Sequence, residues 1–195
     1  MAKPSQSELG LFLSQLRRRP NKIVALSPSS TRLARKMCLQ IDATTGPVIE
    51  LGAGTGRITR AILASGVPED QIAAYEINPD FAQSLRAEFP NLRVVEQGAE
   101  ELRNAPVERP GAVISGLPLL TFSEASQSRI LTAAFAKMRP GGLFIQFTYG
   151  FHTPVARSIC KALDLEVEMQ STELWNLPPA QVYVFRQRAA VRNAA

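Results

Sequence analysis

Residues 48–56 read Val48-Ile49-Glu50-Leu51-Gly52-Ala53-Gly54-Thr55-Gly56. A short apolar run leads into three glycines at alternate positions, and a helical pattern follows over Thr55–Ser65. Glycine lets a backbone turn sharply and approach a ligand closely. The spacing narrows the ligand. A dinucleotide-binding turn is G-x-G-x-x-G, which would put its third glycine at Arg57. Here the pattern is G-x-G-x-G with an acid, Glu50, just before it. In an open α/β sheet ligands bind at the carboxyl ends of the strands, so this loop marks the expected site.

Working outward, apolar runs at Pro47–Leu51, Ile72–Ile77, Leu92–Glu96, Ala112–Ser115 and Leu143–Tyr149 read as buried parallel strands. Thr55–Ser65, Pro79–Phe89, Ser123–Met138 and Pro154–Leu163 read as the helices between them. The chain then changes habit. Leu165–Ser171 and Gln181–Gln187 form a strand pair joined only by a loop through Trp175-Asn176-Leu177-Pro178-Pro179. Strand and helix in alternation, closed by a strand pair, predict an α/β doubly wound sheet of seven strands with an antiparallel addition at one edge. A second acid, Glu76, ends the second strand, where a carboxylate can accept both ribose hydroxyls of an adenosine.

The N-terminal forty residues differ from the rest. Residues 1–40 carry eight bases and one acid, so a chain of net charge +5 consists of a basic arm on a body of about −2. A first arm helix has Ser5 and Glu8 in capping-box spacing and stops at Pro20. Leu9, Phe12, Leu13 and Leu16 form an apolar stripe on one face, and Arg17, Arg18 and Arg19 close the last turn. A second helix starts near Ser29 or Ser30 and runs through Leu33, Met37 and Leu39. The expected division is 1–40, a basic amphipathic arm, and 41–195, the ligand-binding body. An arm of this kind suits an anionic partner, a membrane surface or a nucleic acid. The stripe could equally dock on the core.

At 195 residues, 45% hydrophobic and 20% charged, the chain is expected to be globular. No run reaches the ~18 apolar residues of a membrane span. Leu9–Leu13 is too short, and its flanks are wrong, for a signal peptide. Cys38 and Cys160 are too few for a disulfide framework or a zinc site, and both are expected to be buried.

Glu50–Gly56, Glu76 and the Gly98-Ala99 turn resemble class I S-adenosylmethionine-dependent methyltransferases over about residues 28–187. The resemblance implies a Rossmann-like fold, S-adenosylmethionine as cofactor with S-adenosylhomocysteine as product, and no metal. It implies that Gly52, Gly54 and Gly56 pass under the methionine part, with Glu50, Thr55 and Ser115 in the same cofactor set. It places Glu76 on the ribose, and Ile77 and the Ala99 amide by the adenine. Many relatives have Asp where Gly98 stands, and Glu100 is the expected substitute.

The turn after the fourth strand narrows the acceptor. Base-modifying amino methyltransferases carry Asp or Asn, then Pro-Pro and an aromatic residue, to polarise a ring-conjugated amine and stack on the base. This chain has Ser115-Gly116-Leu117-Pro118 instead. That turn, Pro28-Ser29-Ser30, Gln146-Phe147-Thr148-Tyr149-Gly150 and Trp175-Asn176-Leu177-Pro178-Pro179-Ala180 together resemble bacterial phospholipid N-methyltransferases, which convert phosphatidylethanolamine towards phosphatidylcholine. The resemblance implies Tyr149 and His152 as catalytic candidates, one orienting the amine and the other taking its proton or contacting phosphate. Tyr149 as packing and His152 as a surface residue are the bland alternatives. Ser29, Ser30, Leu117, Tyr149 and Trp175 become the candidate substrate contacts. Leu9, Phe12, Leu13, Leu16 and Arg17–Arg19 become the membrane contacts of a monomer held on the inner face of the cytoplasmic membrane, with no nucleic acid as partner. The competing expectations are an RNA or protein N-methyltransferase and a non-catalytic S-adenosylmethionine-binding module.

Overall fold

The computed structural model describes residues 29–149, 152–174 and 179–188. The first arm helix, with Leu9, Phe12, Leu13, Leu16 and Arg17–Arg19, lies outside the described residues, as do Trp175 and the side chains of Ser29 and Ser30.

Seven strands form one sheet: β1 (Val48–Leu51), β2 (Ile72–Tyr75), β3 (Arg93–Val95), β4 (Ala112–Ser115), β5 (Leu143–Tyr149), β6 (Leu165–Glu173) and β7 (Ala180–Gln187). Their order is β3-β2-β1-β4-β5-β7-β6. The first five are parallel, and β7 is antiparallel to both β5 and β6. The helices are α1 (Ser29–Met37), α2 (Arg57–Ala64), α3 (Pro79–Glu88), α4 (Glu124–Lys137) and α5 (Arg157–Ala162). Every strand of the expected pattern is present. Short 3-10 turns at Glu69–Gln71, Ala99–Asn104 and Leu119–Thr121 were not expected.

Strand residues alternate between two cores because successive side chains point to opposite faces. Val48, Ile72, Ala74, Ile114 and Ile145 pack with Leu33 and Met37 of α1, Ile62 of α2 and Leu85 of α3. Ile49, Leu51, Tyr75, Val113 and Phe144 pack with Leu102, Ile130 and Leu131 on the other face. Helices on both faces explain why β1, β2 and β4 are buried along their whole length.

Two expectations need correction. The boundary at residue 40 does not coincide with a break in packing, since Leu33, Ala34, Met37, Cys38 and Ile41 belong to the same core as the sheet. Nor is every base of that arm a surface charge. Lys36 Nζ lies 3.3 Å from the carboxylate of buried Glu173 and donates to the Thr172 carbonyl at 2.5 Å. Gln170 Nε2 returns a bond to the Lys36 carbonyl, so α1 is clamped to β6. A buried carboxylate is costly unless paired, and Lys36 supplies the pair. Cys38 is buried as expected, but Cys160 is only half-buried.

Candidate active site

The strand order reverses between β1 and β4, and in an open α/β sheet the ligand crevice is expected outside the carboxyl ends of the strands at that point. Gly52 and Ala53 both donate their N–H to the Tyr75 carbonyl, at 2.8 and 3.1 Å, which bends the chain off β1. Gly52, Gly54 and Gly56 then hold φ of +73°, +53° and +75°, a region that favours glycine. Their surroundings differ. A Cβ on Gly52 would lie 2.8 Å from Leu117, and one on Gly56 would lie 3.1 Å from both Leu85 and Phe89. A Cβ on Gly54 would meet nothing within 4 Å. The first glycine admits the turn after β4, the third lets α2 sit against α3, and the middle one leaves the space above the loop clear.

Glu76 follows β2. It is buried rather than a solvated strand end. Its Oε2 accepts from Gly54 N–H at 2.7 Å and its Oε1 from Asn78 N–H at 2.8 Å. Each oxygen keeps a second lone pair for a further donor. Beside it Ile77 is 75% exposed, a bare apolar surface, while Ala99 is buried. Glu100 Oε2 lies 2.7 Å from where a Cβ on Gly98 would stand. The carboxylate of Glu100 therefore fills the volume that a side chain at 98 would take.

Glu50 is wholly buried beneath the loop. Thr59 donates its hydroxyl to Glu50 Oε2 at 2.6 Å, and Oε1 has no partner. Burial, with a smaller contribution from the Glu76 charge, pushes the Glu50 carboxyl up to about 8, against the hydrogen bonds from Thr59. Burial and the Glu50 charge together push the neighbouring Cys38 thiol up to about 12. An acid whose folded pKa is raised binds its proton more tightly in the native state. The stability it contributes is therefore complete below the unfolded pKa near 4.5 and lost as pH rises to about 8. Glu50→Gln should remove that dependence. The ligand-free stability of the variant should gain on the parent between pH 5 and pH 8, by on the order of a few kcal/mol, and its melting temperature should rise relative to the parent accordingly. Parallel melting curves of the two proteins over that range would show the Glu50 assignment to be wrong.

On the other side of the crevice, Gly116 N–H donates to the Leu51 carbonyl at 2.8 Å, and Leu117 N–H donates to Ser115 Oγ at 3.3 Å. Ser115, expected in the cofactor set, is fully buried and shapes this turn. Two glutamines unforeseen as site residues hold the turn from below. Gln146 Nε2 donates to the Leu117 carbonyl at 2.8 Å and to the Phe147 carbonyl at 2.7 Å. Gln127 Nε2 donates to the Leu119 carbonyl at 2.9 Å and the Phe122 carbonyl at 3.3 Å, while its Oε1 accepts from Ala156 N–H. A polar residue inside the apolar run Leu143–Phe147, and one on the apolar face of α4, were the available signals.

Tyr149 ends β5 with its ring edge-on to Phe147, centroids 5.3 Å apart, and burial raises its pKa so that it stays a phenol. It lies three residues past Gln146, the β5 partner of Ser115, at the carboxyl edge. His152 and Thr55 are exposed, and Leu117 is half-buried against Gly52. Among the described residues there is no cluster of three His, Cys, Asp or Glu that could hold a metal, and no helix is long and apolar enough to cross a membrane.

Residues 48–142 match a family described as a methyltransferase domain. The chain is 34% identical over 146 residues to the ornithine lipid N-methyltransferase of Singulisphaera acidiphila, covering 71% of this chain and 76% of that protein. Among solved structures it resembles 1,6-didemethyltoxoflavin-N1-methyltransferase of Burkholderia thailandensis with bound S-adenosylhomocysteine, at TM-score 0.67 and 17% identity over 97% of this chain and 92% of that one. It also resembles a glycopeptide N-methyltransferase complexed with S-adenosylmethionine, at TM-score 0.64 and 16% identity over 82% and 94%.

Proposed function

The chain belongs to the class I S-adenosylmethionine-dependent methyltransferases, and from that membership we propose that it methylates the amine of phosphatidylethanolamine and its partly methylated derivatives, towards phosphatidylcholine, at a membrane surface. The residues present fit the cofactor. Gly54 leaves open space, Glu76 keeps two lone pairs for ribose hydroxyls, and Ile77 offers apolar surface for an adenine ring. The unpartnered Glu50 Oε1 suits the ammonium of the methionine part. The Glu100 carboxylate, which occupies the volume a side chain at 98 would take, supports its assignment to the adenine amino group. When bound, S-adenosylmethionine supplies an electrophilic methyl on a sulfonium.

The observation that carries the choice of acceptor is the turn Ser115-Gly116-Leu117-Pro118. Ser115 Oγ is engaged by a backbone N–H, and the turn offers neither a polarising amide or carboxylate nor a stacking ring. A ring-conjugated amine would need both. An aliphatic amine needs only to lose its proton, since an alkylammonium such as that of lysine has pKa ~10.4, and removal from water lowers that value. The neutral nitrogen then attacks the methyl carbon in line. With S-adenosylmethionine bound, its sulfonium would supply the methyl and would itself become the thioether, and the amine would give up a proton before the next transfer. Tyr149 orients the amine from the carboxyl edge of β5, and exposed His152 takes the proton in this reading. The relative that acts on an ornithine lipid supports an amine-bearing lipid as the class of acceptor.

The stripe Leu9, Phe12, Leu13 and Leu16 with Arg17–Arg19 supports docking on an anionic bilayer from the cytoplasmic side, each base adding ~1 kcal/mol near the surface. Radiolabelled methyl transfer to vesicles with and without phosphatidylethanolamine, with RNA as a parallel acceptor, tests the reading. Label on RNA alone would overturn it. Phe12→Glu should abolish most vesicle co-sedimentation with cofactor affinity intact, while Gln at 17, 18 and 19 should weaken binding mainly to anionic vesicles at low salt. An RNA-binding arm would respond to the arginine change and hardly to Phe12→Glu.

A further inference from the structure

Two oxygen atoms near the carboxyl end of β5 are enclosed and have no hydrogen-bond partner: Gln146 Oε1 and Thr148 Oγ1. Their residues are 0% and 3% exposed. Buried polar atoms are almost always paired, so two orphans on one strand require an explanation. They lie at i and i+2, on one face of β5, the face on which Phe144 meets α4. Their cross-strand neighbours on β7, Tyr183 and Gln181, are engaged with each other, Tyr183 Oη donating to Gln181 Oε1 at 2.7 Å.

The place matters as much as the lack of partners. Gln146 pairs in register with Ser115, the last residue of β4, which in turn pairs with Leu51, the last of β1. At ~3.3 Å per residue, Thr148 stands about 7 Å beyond the level at which those strands end. The other end of the Gln146 amide is bonded to the Leu117 carbonyl, in the turn that closes on Gly52. Gln127 ties that turn's continuation, Leu119 and Phe122, to Ala156 beyond the end of β5. The two orphans are thus linked through the Gln146 amide to the turn after β4, the turn that packs on the glycine loop.

We infer that Gln146 Oε1 and Thr148 Oγ1 form the subsite that receives the N–H groups of the acceptor amine. This rests on the amine-lipid reading above and takes over the orienting role there given to Tyr149, which faces the other side of β5. An amide carbonyl oxygen can only accept, so the missing group is a donor. A reacting amine turns its lone pair to the methyl and its N–H groups away, and a primary amine has two of them for two oxygens. Both oxygens are neutral. A carboxylate here would favour the unreactive ammonium, whereas neutral acceptors orient the free amine without holding its extra proton. Each methylation removes one N–H, so the subsite matters most for the first transfer and contributes nothing through N–H to a tertiary amine.

Thr148→Val tests this, because it replaces the hydroxyl by a methyl of the same shape. On phosphatidylethanolamine vesicles kcat/KM should fall about tenfold, the order of one lost hydrogen bond, with S-adenosylmethionine affinity unchanged. Thr148→Ser should restore most of it. The loss should shrink on vesicles of the N,N-dimethyl derivative. Without ligand, Thr148→Val should melt at or above the wild-type temperature, since an unpartnered hydroxyl gives the fold nothing. Wild-type turnover in Thr148→Val, equal losses on both lipids, or a lower melting temperature would each overturn the inference. Absence of turnover by the wild-type protein on either vesicle would instead sink the amine-lipid reading, and this subsite with it.

Discussion

Glu76→Ala should lower S-adenosylmethionine affinity about 10²- to 10⁴-fold in titration calorimetry. The variant loses two charge-assisted hydrogen bonds to the ribose, each worth ~1.5–3 kcal/mol, and each 1.4 kcal/mol is about tenfold. Unlike a carboxylate at a solvated strand end, Glu76 also accepts Gly54 and Asn78 N–H, so its removal leaves both amides without that partner. The ligand-free protein should therefore melt lower, by about 2–4 °C for each kcal/mol in a chain of this size. The two effects separate on the 2′,3′-dideoxy analogue of S-adenosylhomocysteine. If Glu76 holds the ribose, the mutation should cost far less affinity for the analogue than for the parent product. Equal losses for both ligands would reduce Glu76 to a brace for the glycine loop.

The second large effect distinguishes two glycines that lie two residues apart, Gly54 and Gly56. Gly54→Ala and Gly56→Ala impose the same kind of backbone strain, ~1–2 kcal/mol for a left-handed residue with a Cβ. The Cβ at 56 would press on Leu85 and Phe89, adding ~1–3 kcal/mol of overpacking to the fold. At 54 it would meet no protein atom and stand instead in the space above the loop. Gly54→Ala should thus lose cofactor affinity about ten- to a hundredfold while melting only slightly low. Gly56→Ala should melt distinctly lower and, where folded, bind more nearly as wild type. Calorimetry and thermal unfolding of the pair decide it, and wild-type affinity in Gly54→Ala would mean that the cofactor does not pass over this loop.

The chain's own letters were enough for the order of strands and helices, the glycine loop and Glu76 beside it. These are local patterns. A run such as Val48–Leu51 is buried on both faces wherever its partners come from, and three glycines at alternate positions demand positive φ from the backbone alone. The antiparallel close was equally legible, because no helix fits between Leu165–Glu173 and Ala180–Gln187. Which polar side chains are paired was not legible, because pairing depends on residues far away in sequence. Lys36 reads as one more base of a basic arm, and only the packing of α1 on β6 brings it to Glu173. Glu76 reads as a carboxylate for ribose hydroxyls, and only the fold of the loop places Gly54 N–H on it as well. Gln146 and Thr148 read as ordinary polar interruptions of an apolar strand. Tertiary structure alone buries both, supplies the Leu117 carbonyl for the Gln146 nitrogen, and brings no partner to either oxygen. Burial makes an unpaired acceptor expensive, and burial is a property of the assembled sheet and helices rather than of the strand that carries the residue.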